Sequence, residues 1–267
     1  MNTLFYIIIC AGLIFLSFKF NVLAGLGVVA LIIAIVAFMN YPKFLLGRAN
    51  AEFGQKNYDK AFKFYEKAYK SGIRKLDVDL SYAQALLRTG NTQKAGEIVN
   101  RLIAIPSLKK EYKLFAKQTR ILINYKLGEI EEAYEEAKEM FEDGYTTSNM
   151  YCLIGLLMLT KDEPLNETLA FCEKAYDYDS DNRDNVDNLL VCCIKKGDFE
   201  RAKELSEELT ENYPSFVEGW YHSAQVYEAL GDKTKALECI EKAKDGDRSF
   251  LTTVSENEIE TLEAKLR

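Results

Sequence analysis

The sequence holds one histidine, His222, one tryptophan, Trp220, and only four prolines. A single histidine excludes the multi-histidine metal sites and leaves imidazole acid–base chemistry without a visible partner. None of the six cysteines, Cys10, Cys152, Cys172, Cys192, Cys193 and Cys239, stands in a C-x-x-C pair, which removes the ribbon-type zinc site and the thioredoxin-like redox motif. Adjacent Cys192 and Cys193 point to different sides of a helix and cannot clamp one metal. These cysteines read as reduced, mostly buried small hydrophobes. G-x-S-x-G, G-x-x-x-x-G-K and H-E-x-x-H are all missing, so no enzyme, cofactor or metal site is expected. Long alternating Val/Ile/Thr runs are also lacking. With few prolines and many Ala, Leu, Glu and Lys residues, the fold class is all-α.

Acid is missing from residues 1–51, which carry Lys19, Lys43 and Arg48. Those cations give +3, so with a whole-chain net charge of -7 the remainder carries -10, a balance that argues against nucleic-acid binding. From Leu4 to Met39 the chain is apolar apart from Lys19 and Asn21. One helix over that stretch would exceed the ~30 Å hydrocarbon core of a bilayer. The expectation is a membrane anchor over 1–41, as a hairpin of helices 3–18 and 22–39 turning at Lys19-Phe20-Asn21. Ala11 and Gly12 would then meet Gly27 and Ala30, small residues that let helices approach in lipid. A single span at 22–39, with the earlier run lying in the interface, is the alternative. No cation precedes the apolar run, which argues against a cleaved signal, and bulky Ile9 argues against a lipoprotein signal ending at Cys10. Nine cations follow: Lys43, Arg48, Lys56, Lys60, Lys63, Lys67, Lys70, Arg74 and Lys75. That excess assigns the following region to the cytoplasmic side of an inner (plasma) membrane. The same cations would also rest on anionic headgroups, or serve as an ordinary solvated helix face.

Beyond the anchor, the stretch Trp220–Ala243 reads WYHSAQVYEALGDKTKALECIEKA. Trp220, Ala224 and Tyr227 recur at helical spacing, Gly231 breaks the helix, and Ala236, Ile240 and Ala243 line the next one. The alanine after the turn recurs upstream at Ala202, Ala133, Ala95 and Ala61, with Thr168 in the matching place between Ala202 and Ala133, mostly at steps near 34 residues, and FYEKAY (64–69) nearly repeats as FCEKAY (171–176). This pattern resembles the tetratricopeptide repeat (TPR), a helix–turn–helix unit of that period. The resemblance implies a TPR α-solenoid of about six helix pairs over 42–248, closed by a capping helix within 249–267, with Thr253–Leu266 as the amphipathic stretch. In repeat one Lys56 replaces the usual glycine, and Asn57 is the residue suited to the left-handed turn. Repeat four is the least regular. Gly155 supplies its small first-helix residue, and Pro164 suits a helix start.

Two further motifs carry no weight. The run Asp177, Asp179, Asp181 resembles an EF-hand start, but Asn182 and Asn188 occupy the places of its glycine and bidentate glutamate. Asn166-Glu167-Thr168 is a glycosylation sequon that a cytoplasmic chain never uses.

The TPR resemblance implies that first helices line a concave face that binds a protein or peptide partner. Mapped residue by residue, that face is Leu46, Asn50 and Phe53; Leu80, Gln84 and Arg88; Gln118, Leu122 and Lys126; Cys152, Leu156 and Leu159; Asp187, Asn188, Val191 and Lys195; and Tyr221, Gln225 and Glu228. Asn50, Gln84, Gln118, Lys126, Asp187, Asn188, Lys195, Tyr221 and Gln225 are the candidate binding residues, with Tyr221 as the aromatic anchor. The carboxylate clamp of chaperone-linked TPR proteins is not matched: Asn50 supplies one amide, but Leu46, Ser81, Phe115 and Thr119 replace the other groups. The expected function is a membrane-anchored scaffold, in contact with lipid through residues 3–39. Assembly by self-association, as a homo-oligomer, is the alternative.

Overall fold

A computed structural model describes residues 3–73, 75–213 and 215–267. Arg74 of the basic stretch lies outside them. The described residues form fourteen α-helices and no strand. Contacts divide the chain into two compact units, Met1–Tyr82 and Ala83–Arg267.

In the first unit α1 (Thr3–Phe20) packs on α2 (Val22–Gly54), which in turn packs on α3 (Tyr58–Tyr69). The break between α1 and α2 is narrower than the expected three-residue turn. Lys19 and Phe20 stay helical, and Asn21 alone is extended, its side chain accepting from the Leu23 N–H. A turn this tight places the close approach beside itself. The Phe18 ring lies where a Cβ on Gly25 would go, while nothing stands within 4 Å of that position at Gly12 or Gly27. The expected contact of Ala11 and Gly12 with Gly27 and Ala30 is thus replaced by Phe18 on Gly25.

Helix α2 is long and apolar enough to cross a membrane, and 5–20 is a shorter apolar helix. α2 does not stop at residue 41. It passes through buried Pro42 and ends as the first helix of the first repeat. Pro42 lacks the N–H that a helix interior uses, yet the helix continues on both sides of it. Beyond it, a cluster of rings stabilises the unit: Tyr65 stacks on Tyr82 at 5.7 Å, and Phe53 and Phe62 each meet Tyr65. Lys43 pairs with Asp77 at 2.8 Å, and the Arg48 guanidinium covers the Phe64 ring.

The first helices of the later repeats are α4 (Leu76–Arg88), α6 (Lys110–Leu127), α8 (Ser148–Lys161), α10 (Arg183–Lys196) and α12 (Val217–Ala229). The second helices are α5 (Thr92–Ile103), α7 (Ile130–Glu142), α9 (Leu165–Tyr178), α11 (Phe199–Asn212) and α13 (Lys233–Asp245). Ala61, Ala95, Ala133, Thr168, Ala202 and Ala236 are each the fourth residue of a second helix, and all are buried. A side chain of one methyl lets the paired helix approach closely. Thr168 fits because its hydroxyl donates back to the carbonyls of Glu163 and Pro164.

The turn is the same in all six repeats. The N–H groups of Asn57, Asn91, Glu129, Glu163, Asp198 and Asp232 donate to the carbonyls of Glu52, Leu86, Asn124, Met158, Cys193 and Tyr227. This bond pattern closes a helix around one left-handed residue. That residue is Gly90, Gly128, Gly197 and Gly231 in four repeats and Asp162 in the fourth. In the first it is Lys56, with φ 62°, rather than Asn57, with φ -81°. The bonding register sets the position, and Lys56 occupies it whatever its own preference.

Three clusters of buried side chains follow one another through the second unit. The last contains Val254, Ile259, Leu262 and Leu266, so the final helix pair is covered by α14 (Glu256–Leu266). α14 begins later than Thr253, because Ser255 forms a reciprocal capping box with Glu258.

The inner face as candidate binding site

In the second unit successive first helices touch: α6 meets α8, α8 meets α10 and α10 meets α12. Among the described residues no second helix packs on the next second helix. The first helices therefore converge on one side, as expected for a solenoid that curves toward them.

The candidate residues differ in how far they are available. Asn50, in the first unit, accepts from the Tyr65 hydroxyl at 2.6 Å. Gln84 is exposed on α4. Gln118 is buried on α6. Asn188 is buried and donates its amide to the Cys152 carbonyl at 2.8 Å, which ties α10 to α8. Lys195 is exposed and pairs with Asp162 at 2.8 Å. Tyr221 is not an exposed anchor. It is 9% exposed and packs in the cluster that α14 closes, with Gln225 donating to its hydroxyl. The reason is the cap: α14 and Val254 cover the part of α12 that a sequence register leaves open.

Asp187 and His222 form a pair at 2.7 Å across α10 and α12. Burial opposes a charge on His222, but attraction to Asp187, their hydrogen bond, and the more distant Glu218 and Glu258 outweigh it and raise the imidazole above its ordinary value. Nearby Asp184 is pushed up to about 6, by loss of water first, against Arg183, with Asp187 and Glu218 adding. Half of its side chain still meets solvent, so its weight in stability is small. Burial likewise raises the Cys152 thiol, so it stays protonated. The carboxylates around His222 therefore favour its protonated form, and the described residues place no activated nucleophile beside it. Among the described residues no three His, Cys, Asp or Glu side chains are grouped to hold a metal.

Lys126 occupies the other half of this face. Its ammonium lies 5.1 Å from the Phe250 ring centroid and donates to the Thr252 carbonyl at 3.3 Å. Burial lowers its pKa, against the attraction of Glu218. Glu218, buried at the start of α12, accepts from the Thr253 N–H at 2.8 Å and from its hydroxyl at 3.3 Å. Sequence reasoning missed Glu218, Phe250 and Thr253. The one signal for them was the irregular stretch between Gly246 and the capping helix.

A tetratricopeptide-repeat family model matches residues 194–249, from the end of α10 through α13. Three solved structures are similar over 84% of the chain at 14% identity. PilW, a widely conserved type IV pilus biogenesis factor, is covered over 98% with a TM-score of 0.60. PilF of Pseudomonas aeruginosa is covered over 97% with a TM-score of 0.58. A tetratricopeptide repeat protein from Parabacteroides merdae is covered over 85% with a TM-score of 0.56. At such identity the likeness concerns the fold.

Proposed function

We propose, from the premise that this chain is a tetratricopeptide-repeat protein, that it is a membrane-anchored scaffold whose array binds a protein partner on its inner face, at the cytoplasmic side. The observation that carries this reading is the contact between successive first helices from α6 to α12. It brings Lys126, Asp187, Glu218 and His222 to one side of the second unit. That side is rich in hydrogen-bonding and charged groups and, among the described residues, offers no paired nucleophile and base, which suits recognition rather than turnover. The anchor rests on the apolar helix α2 running unbroken into the first repeat. The cytoplasmic side rests on the cations after Met39.

A photo-crosslinking side chain at Gln84, which is exposed on a first helix, should capture a partner protein in membranes. The same side chain at Glu211, exposed on a second helix, should not. Equal capture at both positions, or capture at Glu211 alone, would remove the inner face as the site. Reporter fusions active only in the periplasm, placed before Met1 and after Arg267, should both be silent. Activity at the N-terminal fusion alone favours a single span, and activity at the C-terminal fusion overturns the cytoplasmic assignment.

A further inference from the structure

We propose that the segment 247–253 is a displaceable clasp. It occupies in cis a groove that takes an extended peptide segment, carrying one aromatic side chain, from a partner protein. The inference rests on the scaffold reading above and names the chemistry of what the array binds.

The clasp runs between distant parts of the second unit. It leaves α13 with the Asp247 N–H donating to the Ser215 carbonyl at 3.0 Å. At its tip the Phe250 N–H donates to the Arg88 carbonyl at 3.1 Å. That carbonyl belongs to the last turn of α4, where helix carbonyls lack an internal partner and any peptide N–H can serve. The Phe250 ring lies against Gly90, whose missing Cβ leaves the room: a Cβ there would stand 3.2 Å from the ring. Lys126 covers the ring and donates to the Thr252 carbonyl, and Glu218 accepts from the Thr253 N–H.

The described contacts from Arg88, Lys126, Ser215 and Glu218 to the clasp address its backbone, apart from the one to the Thr253 hydroxyl. The groove therefore reads an extended chain with one aromatic side chain, and little else of the clasp's own sequence. A segment from another protein can present the same N–H and carbonyl groups.

The clasp also fits its groove imperfectly. Phe250 remains 39% exposed. Arg248 donates to the Val254 carbonyl, but its other terminal nitrogen, Nη2, is buried with no hydrogen-bond partner. A buried donor left unmade is costly, and that cost is relieved when the segment swings out. Val254, buried under α14, forms the far hinge, so the tip can leave without unseating the cap.

The test uses the full chain in detergent micelles and a fluorescein-labelled peptide of residues 246–256. A short tether holds the clasp at an effective concentration of roughly millimolar, so the wild-type groove is free only a small fraction of the time. Apparent affinity falls by that fraction. The variant Phe250→Ala with Thr253→Pro removes the ring and the N–H that Glu218 receives. It should bind the peptide at least tenfold more tightly than the wild type does. Adding Lys126→Ala should weaken that binding at least fivefold. Equal affinities of wild type and released variant, or no binding to a folded released variant, overturn the clasp.

Hydrogen exchange on the wild type needs no variant. Excess peptide should speed exchange at the Phe250 and Thr253 amides, and unchanged rates overturn the proposal. If crosslinks from Gln84 persist while these arms fail, the scaffold reading stands and the clasp falls. Failure of both sets removes both.

Discussion

The side-chain amide of Asn188 reaches from α10 back to α8 and donates to the Cys152 carbonyl at 2.8 Å, directly over Gly155. A residue of the right type for gripping a partner thus joins two repeats instead. Gly155 permits this, because a Cβ there would stand 2.9 Å from the Asn188 Nδ2 and 3.3 Å from the Cys172 Sγ.

Gly155→Ala should therefore destabilise the chain by about 1–3 kcal/mol through overpacking, although alanine is intrinsically the better helix former by about 1 kcal/mol. Guanidinium unfolding of the detergent-solubilised chain, followed by circular dichroism, measures it. An unchanged or raised midpoint would show that the amide moves aside at no cost.

Ala236 is fully buried as the fourth residue of α13. Ala236→Leu should cost about 1–3 kcal/mol by forcing α12 and α13 apart. The same change at exposed Lys233 should stay within about 0.5 kcal/mol. Equal effects at both positions would contradict the repeat register.

Lys56 holds φ 62° in a turn where four of the other five repeats use glycine. A left-handed conformation costs a non-glycine residue roughly 1–2 kcal/mol. Lys56→Gly should raise stability by about 0.5–1 kcal/mol after the added freedom of the unfolded chain is counted. Asp162→Gly, with φ 58° at the equivalent turn, should gain less than relief of its backbone alone would give, because it breaks the pair with Lys195. A loss at Lys56→Gly sinks the strain argument.

The His222–Asp187 pair makes stability depend on pH. His222 is raised in the folded chain, so its contribution is fully present below the unfolded value of about 6.5 and is lost as pH rises through the folded value. Asp187→Asn should lower the unfolding midpoint more at pH 6 than at pH 9, with a difference of about 1–2 kcal/mol for a charge-assisted bond. Parallel losses at both pH values would mean that the imidazole stays neutral.

Tyr221 now belongs to the core. Tyr221→Ala should cost about 3 kcal/mol by leaving a cavity under α14, so any loss of partner capture in that variant reports unfolding as well as binding. A thermal midpoint equal to wild type would place the ring in the groove after all.

The sequence by itself determined the repeat. Ala61, Ala95, Ala133, Thr168, Ala202 and Ala236 mark the second helices at the correct residue, because a helix face and the turn before it are settled over a few neighbouring positions. It also determined that the last pair needs a cover, since Ile259, Leu262 and Leu266 form an apolar stripe on α14. Only the tertiary structure decided which inner-face groups remain available. Asn188, Asp187 and Tyr221 occupy first-helix positions as the pattern requires, but Cys152, His222 and α14, each in another element, engage them. Phe250 meets Arg88, Gly90 and Lys126. Contacts between residues so far apart in the chain depend on the turns and stacking of every repeat between them, and short-range periodicity holds no record of where that stacking ends.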